Sequence, residues 1–245
     1  MSAQPLFACS DIALDLGGRS ILRRISLAVA PGEVLGVIGP NGAGKTSLFE
    51  VLSGRMPPKS GSVSYRGRDI TGLPLHRRAR LGIGRTYQTP VVPAGMTVAQ
   101  VLKAARQAYR PYLTPDDSEW GAGLVDFRVS GATMADQLDT LNRRKLLMTC
   151  LLMRRPSVLL MDEPAAGLIN SEIDEFDEIM RVLAKELDIA VVLIEHRMEL
   201  LAAVADRVLV LDAGEMIADG QLADILVDPR VKAAYFEFDG TEGSH

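Results

Sequence analysis

The sequence is poor in several things, and each shortage narrows what the chain can be. It has two cysteines in 245 residues, Cys9 and Cys150. Both sit in apolar patterns without metal-ligand spacing, which excludes a disulfide scaffold and points to free buried thiols in a reducing compartment. Aromatic residues make up 5% while the hydrophobic share is 47%, so the core is aliphatic, as in α/β proteins. Neither sign of charge dominates: 27 Lys and Arg face 31 Asp and Glu, for a net charge of −4. That balance carries no nucleic-acid footprint. The basic clusters Arg77-Arg78-Ala79-Arg80 and Arg143-Arg144-Lys145 read as solvated helix faces or partner contacts. No pure aliphatic run is longer than Ile189–Ile194, far short of the ~20 residues a bilayer-spanning helix needs. The N-terminus shows no signal-peptide pattern. The expectation is a soluble protein that reaches a membrane only through a partner. Internal repeats and low-complexity segments are also missing, and Gly240–His245 reads as a frayed tail.

What is present centres on Gly39-Pro40-Asn41-Gly42-Ala43-Gly44-Lys45-Thr46, which continues into Ser47. The apolar run Val34–Ile38 precedes it and a helical pattern (Leu48, Phe49, Val51, Leu52) comes after it. Strand, glycine-rich turn and helix form the context in which G-x-x-x-x-G-K-[ST] is a phosphate loop. Gly42 and Gly44 let backbone N–H groups turn inward at a helix N-terminus, where the dipole also favours an anion. Lys45 is placed to reach the β- and γ-phosphates, and the Thr46 hydroxyl to ligate Mg²⁺.

Around this loop the patterns alternate. Residues 6–38 read as antiparallel strands leading into the phosphate-loop strand, with a further strand at Gly61–Tyr65. Pro74 opens a short basic helix that ends at Gly82, and Ile83–Gln88 runs extended. Thr97–Leu152 turns helical, with Val98, Val101, Leu102 and Ala105 on one face, a poorly patterned connection over Tyr109–Gly123, and a second helix at Leu141–Met153. This stretch reads as a helical subdomain inserted into a nucleotide-binding core. Val158–Met161 and Ile189–Ile194 are continuous apolar runs, expected of strands buried on both faces. Between them Ile173, Phe176, Ile179, Met180 and Leu183 recur at helical spacing after an Asn170 or Ser171 cap. Further elements are a helix at Met198–Val204 and strands at Val208–Leu211 and Met216–Ala218. Strands alternating with helices predict a mainly parallel sheet.

Chemistry concentrates at the ends of the apolar runs. Asp162 closes one and is suited to hold Mg²⁺; Glu163 comes next, placed to polarise an attacking water. His196 emerges at the same expected sheet edge, where it can donate to the γ-phosphate and hold the water in line with Glu163. Gln88 ends the extended segment before the helical stretch and can touch Mg²⁺ or the water.

Together these residues resemble the ATP-binding-cassette (ABC) family of transport ATPases over nearly the whole chain. The resemblance implies an α/β fold: a P-loop NTPase core with an antiparallel β subdomain and an inserted α-helical subdomain. It implies one cassette over residues 1–240, with the core at 1–90 and 156–240, the helical subdomain at about 91–155 and a flexible tail at 241–245. ATP and Mg²⁺ are the implied ligands. Lys45 and Thr46 stand in the phosphate loop, Gln88 in the Q-loop, Asp162 and Glu163 in the Walker B pair, and His196 at the switch histidine. Asp162–Leu168, Ile194-Glu195-His196-Arg197-Met198, Gly67–Pro74 and Asp228–Tyr235 look like the branched-chain amino-acid importer subgroup, whose relatives carry amides, urea and other small solutes. The implied function is ATP hydrolysis that powers import of such a solute. The implied partners are a second ATPase subunit, membrane permease subunits and, indirectly, a solute-binding protein. The implied location is peripheral, on the cytoplasmic face of the inner membrane. A regulatory nucleotide-binding subunit of low turnover and a non-transport cassette are the alternatives; a GTPase is excluded by the missing Asn-Lys-x-Asp motif.

Three positions depart from the family. The signature Leu-Ser-Gly-Gly-Gln falls on Leu138-Asp139-Thr140-Leu141-Asn142, which lacks its serine and both glycines; Val129-Ser130-Gly131-Ala132 ranks second. The D-loop aspartate position is Ile169, and the aromatic that contacts adenine is replaced by Leu16. Because Leu138–Asn142 cannot complete a neighbour's ATP site, a heterodimer with an intact second cassette is expected.

Overall fold

A computed structural model describes residues 4–239; the expected tail at Gly240–His245 lies outside the described residues. In chain order the elements are β1 (Phe7–Leu16), β2 (Arg19–Val29), β3 (Val34–Ile38), α1 (Lys45–Ser53), β4 (Ser60–Tyr65), β5 (Arg68–Asp69), α2 (Leu75–Leu81), β6 (Ile83–Arg85), α3 (Val98–Gln107), α4 (Pro115–Leu124), α5 (Thr140–Leu152), β7 (Val158–Asp162), α6 (Asn170–Arg181), β8 (Ala190–Ile194), α7 (Met198–Val204), β9 (Arg207–Asp212), β10 (Glu215–Gly220), α8 (Leu222–Ile225) and α9 (Pro229–Asp239). No helix among the described residues is long and apolar enough to cross a membrane.

Two sheets form. One is antiparallel in the order β2-β1-β4-β5. The other runs β10-β9-β3-β8-β7-β6, parallel throughout except that β10 returns antiparallel to β9. Every residue of β3, β7 and β8 is buried, which explains their unbroken aliphatic sequences. Side chains alternate between two cores. Leu35, Val37, Leu160, Val192 and Leu209 face α1 and the antiparallel sheet. Leu159, Met161, Val191, Leu193 and Val208 face α5, α6 and α7. Gly36 sits on the second face, where a Cβ would come within 2.8 Å of Leu201 Cδ2, so the strand must be bare there for α7 to pack.

The register sets the site. Val37 lies opposite Ile194, and Ile194 opposite Asp162. The C-terminal ends of β3, β8 and β7 therefore finish level, and the residues that leave these strands emerge along one edge of the parallel sheet.

Three readings of the sequence need correction. The stretch read as an unpatterned connection contains α4: Thr114 caps it, accepting from Asp117 N–H while Asp117 accepts from Thr114 N–H, with Pro115 in the first turn. Gly121 and Gly123 obscured it, yet Gly121 is where the helix meets α5, a Cβ there lying 3.1 Å from Thr149 O. The N-cap of α6 is Ile169, not Asn170 or Ser171; the Glu172 carboxylate accepts the Ile169 N–H at 2.8 Å. The basic clusters are not simply solvated faces. Arg78 is fully buried, donating to the carbonyls of Val51, Leu52, Thr71 and Leu73, and burial pushes its guanidinium down to about 10. Arg144 and Lys145 are buried as well. Desolvation pushes both thiols up to about 12, Cys9 buried and Cys150 half-buried.

Candidate functional site

The loop between β3 and α1 is built by glycine where no other residue fits. Gly39 has φ 148°, and a Cβ would sit 2.0 Å from Leu211 O. Gly44 has φ 103°, with Leu22 Cδ2 2.8 Å and Ile21 O 3.1 Å from its would-be Cβ. Gly44 thus lies tight on the β2 strand and caps α1 in a left-handed conformation. No side chain caps α1 and no acidic residue stands in its first turn. Its leading N–H groups have no helical carbonyl to pair with, and they face a cleft of about 320 Å³ lined by Ile21, Asn41–Ser47, Glu163 and His196.

Lys45 is buried and turns its ammonium onto the loop, donating to Gly39 O at 2.6 Å and Pro40 O at 3.0 Å. Burial lowers its pKa, and the fields of Glu163 and Asp162 oppose that shift. Gly39 and Pro40 therefore hold the lysine, while Asn41, Gly42, Ala43, Gly44, Thr46 and Ser47 form the wall. Leu16 is exposed at the β1–β2 turn and is not among the cleft-lining residues; Ile21, on the same hairpin, is.

Asp162 ends β7 and is buried, which raises its pKa against the opposing field of Arg85, 3.9 Å away. Arg85 bridges from β6 to α1, donating to Ser53 Oγ at 2.7 Å and Glu50 Oε1 at 2.8 Å. Thr46 hydroxyl and Asp162 carboxylate are hard oxygen donors of the kind Mg²⁺ takes alongside phosphate oxygens, so the site's donor chemistry fits that ion. Among the described residues no group of three or more His, Cys, Asp or Glu is placed to hold a metal without such additional oxygens.

Glu163 has φ 44°, a left-handed conformation that costs a side-chain-bearing residue about 1–3 kcal/mol. Its N–H still donates to Ile194 O at 2.9 Å. The turn aims the carboxylate between two neighbours: Gln88 Nε2 donates to Oε2 at 2.6 Å, and His196 Nε2 lies 3.0 Å from Oε1. Gln88, Glu163 and His196 are thus brought to one point at the mouth of the loop cleft.

Two buried charges behind them were invisible as site residues in the sequence. Arg144, on α5, donates to Gln88 O at 3.3 Å, Glu163 O at 3.4 Å and Ala166 O. Burial lowers its pKa, and the carboxylates of Glu195 and Glu163 counter that. Glu195 accepts the N–H groups of Ala165 at 3.2 Å, His196 at 2.8 Å and Arg197 at 3.4 Å. The signal for Glu195 was a carboxylate directly after an aliphatic strand; for Arg144 it was a cation inside an apolar helix repeat.

The N-terminus of α5 differs from that of α1. Asp139 caps it: Oδ1 accepts Asn142 N–H at 2.7 Å and Oδ2 accepts the Asn142 amide at 2.8 Å. The Asn142 N–H holds the Asp139 carboxyl below the usual range. Val129–Ala132 lies instead on α3, where Gly131 O accepts Ala99 N–H at 3.0 Å. Ile169 is 65% exposed just before α6, and Arg197 grips the residues on either side, Leu168 O and Asn170 Oδ1.

A family described as ABC transporter matches residues 22–166. The high-affinity branched-chain amino acid transport ATP-binding protein LivG of Salmonella typhimurium is 32% identical, over 95% of this chain and 98% of its own length. The corresponding protein BraF of Pseudomonas aeruginosa is 30% identical over the same shares. Among solved structures, the ADP conformation of MJ1267, an ATP-binding cassette of an ABC transporter, superposes with a TM-score of 0.86 at 25% identity, covering 96% of this chain and 99% of that one.

Proposed function

Because the chain belongs to the ABC transporter family, as an ATP-binding cassette ATPase, we propose that it is the subunit that powers import of a small organic solute through a membrane permease. The solute class is taken from the relatives, whose names specify branched-chain amino acids; amides and urea-like molecules share the chemistry of a small polar solute. ATP binds with its phosphates on the N–H groups of Gly42 to Thr46, and Lys45 exchanges the carbonyls of Gly39 and Pro40 for phosphate oxygens. Thr46, Asp162 and the Gln88 side chain are the residues that would hold Mg²⁺, which supplies charge neutralisation between phosphates when bound. Glu163 takes the proton of the attacking water, and His196 and Gln88 keep its carboxylate in line.

The observation that carries this reading is the convergence of Gln88 and His196 on the strained Glu163, at the rim of the loop that holds Lys45. Lys45→Ala is expected to remove nucleotide binding. Glu163→Gln is expected to preserve binding and lower turnover by about 10²–10⁴-fold, the usual worth of a general base. Nucleotide titration and steady-state ATPase assays on both variants in the assembled complex check this; full turnover by Glu163→Gln removes that residue from its role.

The permease contact lies in the apolar cavity of about 350 Å³ between core and helical segment, lined by Tyr87, Thr89, Pro90, Val91, Leu147 and Leu151. Val91 there is 75% exposed. Through it the protein sits on the cytoplasmic face of the inner membrane, with a solute-binding protein completing the system. The second ATPase subunit is a different cassette, since Asp139 takes the Asn142 N–H and sets a carboxylate at the end of α5 that a neighbour's ATP would need. That cap also favours the second reading, a regulatory subunit of low turnover; wild-type ATPase activity of the complex that survives Glu163→Gln would support it.

A further inference from the structure

We propose that Arg144 and Glu195 form a buried bracket that positions Glu163 and ties it to helix α5; the inference rests on the reading of Glu163 as the group acting on water. The turn Glu163–Ala166 is held from two sides. Arg144 takes its carbonyls, those of Glu163 and Ala166, and adds that of Gln88. Glu195 takes an N–H from inside the turn, that of Ala165, and adds those of His196 and Arg197. The two side chains therefore fix the backbones of Gln88, Glu163 and His196, the three residues whose side chains meet at the Glu163 carboxylate.

Both charges are deeply placed, Arg144 at 7% and Glu195 at 3% exposure. Among the described residues neither has an opposite charge within 4.0 Å, so each faces backbone rather than the other. Burying a guanidinium and a carboxylate in this way costs desolvation that apolar side chains of similar volume would avoid. What the charges add is a set of charge-assisted hydrogen bonds directed at one turn. That turn is the one whose first residue, Glu163, sits at φ 44°. The bracket offsets the strain and keeps the carboxylate aimed.

Arg144 is on α5, and it lines the same apolar cavity as Thr86–Tyr87 and Thr89–Val91. A displacement of α5, whether from its Asp139 end or from the cavity, moves the donor that Gln88 and Glu163 share. Helix α5 is thereby the element through which events at the helical segment reach the carboxylate.

The test compares kcat at saturating ATP with ATP affinity for Arg144→Gln, Arg144→Lys and Glu195→Gln in the assembled membrane complex, with Glu163→Gln alongside. Arg144→Gln and Glu195→Gln should each lower kcat by about ten- to a hundredfold, the range in which ångström misplacement of a reacting group acts. ATP affinity should stay within about threefold, because Lys45 and the loop N–H groups are untouched. Arg144→Lys, which can serve fewer carbonyls at once, should recover part of the loss. Parallel loss of affinity and kcat would mean a merely structural role and overturn the bracket, as would wild-type kcat in Arg144→Gln. If Arg144→Gln does not fold, full turnover by Glu195→Gln overturns it equally. Turnover retained by Glu163→Gln would instead sink the underlying reading, so the two failures are distinguishable.

Discussion

Helices α1 and α5 begin in opposite ways. The start of α1 is bare: Gly44 in a left-handed conformation, no side-chain cap, no acid in the first turn, and a lysine as the first helical residue. The start of α5 is closed by its own carboxylate, Asp139 on the Asn142 N–H and amide. Helices α3 and α4 are likewise closed, by Thr97 with Gln100 and by Thr114 with Asp117. An open end leaves N–H groups unpaired, which forgoes the ~1 kcal/mol a cap contributes, so it persists where an external anion completes it. A capped end has one N–H fewer to offer, and at α5 the capping carboxylate sets a negative charge beside the N–H groups that remain.

Closing α1 should have the largest effect. Gly44→Asp gives α1 a carboxylate like that of α5, adds a Cβ against Leu22 and Ile21, and imposes about 1–3 kcal/mol of backbone strain. ATP affinity, read by titration with a fluorescent nucleotide, should fall about a hundredfold or more. Near-normal affinity would show that the α1 end is not where the phosphates rest.

Much of this was legible in the sequence, and the failures have physical causes. Val34–Ile38, Val158–Asp162 and Ala190–Ile194 are apolar throughout because both faces of the sheet are covered, a pattern solvent exposure would have broken. The phosphate loop is legible because glycine is required at Gly39 and Gly44 by contacts that exclude a Cβ. Helix α4 was hidden because its identity lies in Thr114, Pro115 and Asp117 at one end, while Gly121 and Gly123 dilute its periodicity. Arg144 and Glu195 were hidden because charge in a sequence is read as solvated; only the fold reveals backbone carbonyls and N–H groups converging on them.

Opening α5 should have a smaller effect, and one that depends on pH. Asp139→Ala removes the cap at a cost of about 1 kcal/mol, or about 2–4 °C in thermal midpoint for a chain of this size. Because the folded pKa of Asp139 is lowered, its contribution is present above the ordinary carboxylate value and is lost as pH falls through the folded value. The gap between wild type and Asp139→Ala in thermal unfolding should therefore be full near neutrality and shrink in acid. A gap independent of pH would mean that Asp139 acts otherwise than as an ionised cap.

The contrast between the open and the closed helix end predicts that an assembled dimer works asymmetrically, with hydrolysis at the site built from Lys45, Glu163 and His196. The direct measurement is ATP turnover of the complete complex carrying Glu163→Gln in this chain, set against the same complex carrying the matching substitution in its partner cassette. Turnover should be abolished in the first and largely retained in the second. The reverse result, or fast hydrolysis by a homodimer of this chain alone, would contradict the account.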